Sequence, residues 1–161
     1  MEKFQEARDK ARQSLRVADH MLYVTYPLVK DNKLLAAILG NIFTAMTEGM
    51  SAVLYYDRLF KRIPPFHDTF ESKFNMFQEK SIIRHNIPTE HLVLIRDLRK
   101  VIADGKSNPE AFARNDKFIM YSNDYGFRNI NINLIKGYVE RAKDFLNRVE
   151  EIVSKNEGIF K

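Results

Sequence analysis

Residues 34–56 read LLAAILGNIFTAMTEGMSAVLYY, the most apolar run in a chain of 161 residues. The run is long enough to span a bilayer, but Glu48 sits near its middle, with Asn41, Thr44, Thr47 and Ser51 around it. A mid-span acid costs about 2.5–3.5 kcal/mol on insertion, so the stretch reads as the buried centre of a soluble helical bundle. Its main apolar face holds Leu35, Ile38, Ile42, Ala45, Gly49, Ala52, Tyr56 and Leu59. That spacing predicts a helix from about 33 to 62, which Pro64-Pro65 ends.

On the N-terminal side, Phe4, Ala7, Ala11, Leu15, Ala18 and Leu22 recur every three or four residues among charged ones, predicting an amphipathic helix over 3–26. Pro27 and Lys30-Asp31-Asn32 mark a kink or turn. On the C-terminal side, Phe66, Phe70, Phe74 and Phe77 recur at helical spacing behind Asp68 and Glu71, a pair that resembles a capping box. Thr89 is a good N-cap for a helix over 90–103, and Gly105 a good stop. Asn108-Pro109 signals another helix, over 109–121. Residues 122–130 read as a loop. The closing helix, 131–156, has Leu134, Tyr138, Ala142, Phe145, Val149 and Ile152 on one face. No segment alternates strictly with period two. The sum is a single all-α domain over 1–161, a bundle of four main helices plus one or two short ones.

Composition narrows the function. Twenty-six Lys and Arg against 21 Asp and Glu leave a net charge of +5, and the absence of cysteine excludes disulfides, Cys-ligated zinc, iron-sulfur clusters and thiol catalysis. The charged start of the chain is unlike a signal peptide, which predicts a cytoplasmic protein without a membrane anchor. A di-iron bundle needs Glu-x-x-His pairs, yet the residues three before His20, His67, His85 and His91 are Val17, Pro64, Ile82 and Pro88. No metal and no cofactor are therefore expected. Gly105-Lys106-Ser107 lacks the earlier glycine of a phosphate-binding P-loop, since Lys100 stands there, and it follows a helix rather than a strand.

Three constellations remain. Asn41, Thr44, Glu48, Ser51, Tyr55 and Arg58 share one face of the second helix. That polar, nearly uncharged stripe reads as a solvent face, or as a ligand or partner face lining a groove or two-fold contact, where Glu48 would need a partner. Arg8, Arg12 and Arg16 fall in a row on the first helix, and Arg96, Arg99 and Lys100 cluster on the fourth. Such rows can straddle phosphates, while Glu6, Asp9, Asp19 and Asp97 nearby favour local ion pairs. Phe70, Phe74, Phe77 and Tyr55 fit core packing, with an aromatic ligand pocket as the other reading.

The layout of a long charged first helix, an apolar second helix ending in a Pro-containing loop, and a final helix after Asn-Asp-Tyr-Gly resembles the HEPN superfamily of helical bundles. The nearest echoes are Asp124-Tyr125-Gly126 and a closing helix containing Glu140, Ala142, Phe145 and Leu146. They look like the Asp-Tyr turn and Ala-x-x-Phe-Leu helix of HEPN proteins paired with nucleotidyltransferases. The resemblance implies a homodimer, a nucleotidyltransferase-type protein partner, and RNA as a candidate ligand. Active members are metal-independent RNases with an Arg, a polar residue and a His spaced along one helix. Here the literal match is Arg84, His85 and His91, and Pro88 with Thr89 splits it between two helices, while Arg114-Asn115 and Arg128-Asn129 have no following His. The resemblance therefore implies a non-catalytic domain serving as a protein-interaction or nucleotide/RNA-binding module. The alternative is a ribonuclease using Arg84, His85 and His91.

Overall fold

A computed structural model describes the backbone of residues 1–107, 117–122 and 126–155, and the side chains of residues 1–105 and 131–155. Its architecture is the expected all-α bundle. In chain order come α1 (Lys3–His20), a π-helical turn (Met21–Thr25), α2 (Tyr26–Val29), α3 (Lys33–Leu59), α4 (Phe70–Met76), a second π-helical turn (Phe77–Ser81), α5 (Ile82–His85), α6 (Glu90–Ser107) and α7 (Ile132–Val153). Between α6 and α7 lies one addition that periodicity did not predict, an antiparallel hairpin of β1 (Lys117–Ser122) and β2 (Gly126–Asn131). The predicted helix over 109–121 is thus a strand where it is described. Phe118-Ile-Met-Tyr121 is a short apolar run that periodicity cannot assign to helix or strand, and its β-branched and aromatic residues favour the latter. Asn108-Pro109, Arg114-Asn115 and Asp124-Tyr125 lie outside the described residues.

The apolar 34–56 run does form the centre. Leu35, Ile38, Leu39, Ile42, Ala45, Met46, Ala52, Val53 and Leu54 have no exposure at all, and α3 packs against α1, α6 and α7. By length and composition α3 could cross a membrane, but 61% of its most apolar window is buried inside this bundle. Phe4 meets Tyr56 edge-on at 5.4 Å, and Lys10 meets Glu48 at 3.3 Å, so α1 and α3 run antiparallel. Lys143 meets Asp19 at 2.9 Å and Arg12 pairs with Glu150, so α7 is antiparallel to α1 as well. The α3–α7 contact is close at Gly49: a Cβ there would lie 2.7 Å from Leu146 Cδ2 and 3.0 Å from Phe145 Cε2.

Local signals explain the element ends, with four corrections. Pro27 does not end the first helix. The preceding turn widens, Tyr26 N–H reaching Met21 O, and one more helical turn follows before Lys30 ends it in left-handed geometry; widening moves the carbonyl with which a proline ring would otherwise clash. Lys61 takes the left-handed position after α3, and Arg62 N–H returns to Asp57 O at 2.8 Å, a Schellman-type close. The α4 cap is Thr69, accepting from Ser72 N–H at 3.2 Å, because Asp68 is drawn to Lys73 at 2.6 Å. Gly105 does not stop α6, which continues to Ser107; an interior glycine costs about 1 kcal/mol, which a packed helix absorbs. Asn131 caps α7 by accepting from Leu134 N–H at 2.9 Å. On α7 the buried face holds Ile135 and Val139 rather than Leu134, which is 38% exposed.

Candidate functional site

The most concentrated polar chemistry in the interior sits at the end of α3. Asp57 is wholly buried there. Its Oδ2 accepts from Ser81 Oγ at 2.8 Å, and its Oδ1 lies 2.7 Å from His85 Nε2. Arg62 approaches the same carboxylate at 4.0 Å from a partly exposed position. Arg148, on α7, donates to the His85 carbonyl. One acid therefore joins α3, the second π-helical turn and α5, and α7 closes over them. A buried carboxylate is tolerated only with such partners. Sequence reading passed over Asp57 and Ser81; the available signal was an acid one residue beyond Tyr56, next to the apolar face.

The three candidate ribonuclease residues occupy different environments. Arg84 is exposed. His85 faces inward onto Asp57, and Asn86 then closes α5 in left-handed geometry. His91, in the first turn of α6, is 4% exposed, with its ring 5.0 Å from that of Phe145. Burial pushes its pKa below the usual histidine value; Glu90 and Asp144 oppose the shift and Arg141 reinforces it. Two buried imidazoles and one exposed guanidinium do not make an Arg–His pair aimed at a phosphate. Among the described residues, no three His, Asp or Glu side chains converge as a metal would require.

The polar stripe of α3 is partly covered by α1 and the 60–70 segment. Asn41 donates to Ala37 O and reaches Met21 Sδ at 3.9 Å. Thr44 bonds back to Gly40 O at 3.0 Å, and Ser51 is buried. Glu48 has the partner it needed, Lys10. At the C-terminal end of the stripe Tyr55 and Arg58 are half-buried, as are Asn41, Thr44 and Glu48. Tyr55 and Phe66 lie 5.7 Å apart, and the Arg58 guanidinium sits over both, 5.1 Å and 4.6 Å from their centroids. Lys3 and Lys73 also lie over the Tyr55 ring, at 5.7 and 5.2 Å. Phe70 and Phe74 stack at 5.5 Å and Phe77 meets Phe145 edge-on, so these aromatics pack with one another and the core.

The arginine rows are not continuous cationic surfaces. Arg8 is buried and bonds to Asp9 at 3.2 Å. Arg12 pairs with Asp9 and Glu150. Arg16 is exposed and lines a cleft of about 410 Å³ between α1 and α7, together with Lys143, Asp19 and Glu150. Hydrogen bonding to Asp19 holds the Lys143 ammonium above the usual lysine range. On α6, Arg96 is exposed, while Arg99 pairs with Glu71 and stacks on Phe70 at 4.2 Å. Lys100, one residue on, is half-buried.

No protein-family model matches the chain, and no curated protein is detectably similar to it.

Proposed function

We propose that the chain is a non-catalytic, HEPN-like helical domain that works in the cytoplasm as a homodimeric protein-interaction or nucleotide/RNA-binding module. One observation carries this reading: His85 gives its Nε2 to the buried Asp57 and His91 packs on Phe145, while Arg84 stays exposed. General acid–base catalysis on RNA needs an imidazole within hydrogen-bonding reach of the substrate. Binding surfaces, by contrast, are available. Val24, Leu28 and Val29, at the end of the first helix, are 48%, 82% and 59% exposed, an apolar group suited to a second copy or a nucleotidyltransferase-type protein. Arg16 and Arg96 offer positive charge to an RNA backbone.

The test is to incubate an end-labelled mixed RNA pool with the protein in chelator and size the RNA. Full-length RNA supports a module without nuclease activity. Metal-independent shortening that disappears in His91→Ala and Arg84→Ala would establish the ribonuclease reading instead.

A further inference from the structure

We propose that the cleft between the first turn of α1 and the end of α3 binds a phosphate monoester, with Arg58 as its bidentate donor and Lys3 and Lys61 as flanking ammonium groups. The proposal names the ligand chemistry for the nucleotide-binding side of the preceding reading and rests on it to that extent.

The cleft is about 270 Å³ and is lined by Lys3, Tyr55, Arg58 and Lys61 among others. That volume suits a phosphate and a small attached group rather than a whole large ligand. Arg58 is the preorganised element. Its guanidinium lies over both the Tyr55 and Phe66 rings, contacts that restrain it before any ligand arrives. A stacked guanidinium loses little freedom on binding and keeps the donor edge that matches two phosphate oxygens.

Charge points the same way. Among the described residues, no carboxylate forms an ion pair with Arg58, Lys3 or Lys61. The acids that could compensate are engaged: Asp68 is bound by Lys73 at 2.6 Å and Glu2 belongs to a capping box with Gln5. Hydrogen bonding from Lys73 holds the Asp68 carboxyl below its ordinary range, so it stays a committed anion. Counting Lys73, four cations stand against Glu2 and Asp68, whose charge Lys3 also feels, and the net positive charge suits a group of about −1.5 to −2 charge better than a single carboxylate. The walls are also fixed to each other, since Phe4 packs edge-on against Tyr56 behind the cleft.

The phosphate could be free, part of a mononucleotide, or the 5′ end of an RNA strand, and calorimetric titration separates these sources. The probes are inorganic phosphate, adenosine monophosphate, and one trinucleotide with and without a 5′-phosphate. Wild type should bind at least one phosphate monoester, and the trinucleotide should need its 5′-phosphate. Arg58→Gln should weaken that binding at least tenfold, and the Lys3→Gln/Lys61→Gln pair should weaken it as well. Lys80→Gln, an exposed lysine on the second π-helical turn, should bind like wild type. Melting temperatures of all variants are measured alongside, so a folding defect is recognised; the lysine pair, exposed at both positions, then decides. Equal binding by wild type and Arg58→Gln, or no binding of any phosphate probe, would overturn the site. If RNA still shifts the protein's mass while phosphate binding is absent, the site is lost and the module reading stands.

Discussion

The carboxylate of Asp57 and the imidazole of His85 meet 2.7 Å apart at a point where the carboxylate has no exposure to solvent. This pair decides how the chain's histidines are to be read, because an imidazole fixed on an internal acid holds the fold together instead of facing a substrate. It also predicts where stability is concentrated. Leaving a buried hydrogen-bonding group without its partner costs about 1–3 kcal/mol. Asp57→Ala strands both Ser81 and His85 and should therefore lower the melting temperature by about 4–24 °C for a chain of this size. Asp57→Asn, which keeps hydrogen-bonding atoms in place, should cost less. Thermal denaturation followed by circular dichroism checks both, and an unchanged midpoint in Asp57→Ala would contradict the arrangement.

His91 makes stability depend on pH. Its folded pKa is depressed by burial, below the value of about 6.5 for a free histidine. Between those two values the unfolded chain holds a proton that the folded chain does not, so stability rises with pH across that window. Acidification below about pH 6.5 should weaken the fold, and His91→Leu should flatten that part of the curve. Urea unfolding of both proteins at several pH values measures it. Parallel curves would show that His91 is as easily protonated in the fold as out of it.

Gly49 sets the approach of α3 to α7. A Cβ would crowd Leu146 and Phe145, but the Leu146 methyl is a movable side-chain end and alanine improves helix propensity by about 1 kcal/mol. Gly49→Ala should therefore be nearly neutral, whereas Gly49→Leu overpacks the contact and should cost about 1–3 kcal/mol. Leu146→Ala should restore part of that loss, a coupling that a double-mutant cycle reads directly.

The arginine row on α1 should separate into two behaviours. Arg8 is 8% exposed and bonded to Asp9, so Arg8→Ala should destabilise through lost packing as well as lost charge. Exposed Arg16→Gln should leave the melting temperature within about 1 °C, its effect on stability being that of a surface substitution. If RNA binds the α1–α7 cleft, Arg16→Gln should also weaken binding equally for different RNA sequences, since backbone contacts carry no sequence information.

Much of this architecture was legible in the residues. Phe4, Ala7, Ala11, Leu15, Ala18 and Leu22 are all buried, as their spacing required. Pro64-Pro65 lies just past α3, and Thr89 directly precedes α6. The hairpin was not legible, because a four-residue apolar run has no period to read, and its pairing with 126–131 is a contact between separate segments. The Asp57 cluster was hidden for a related reason: Ser81 and His85 lie 24 and 28 residues from Asp57, and neither spacing nor composition links them. Glu48 was visible as an acid in need of a partner, but its partner, Lys10, came from another helix.

The most direct test of the account is the solution mass by light scattering, at low and high salt, with the mixed RNA pool and chelator present and absent. The account predicts twice the 18.9 kDa chain mass in the absence of RNA, unchanged by salt. It further predicts that any RNA bound at low salt is recovered at full length. A monomer at every salt concentration, or RNA shortened on contact, would contradict it.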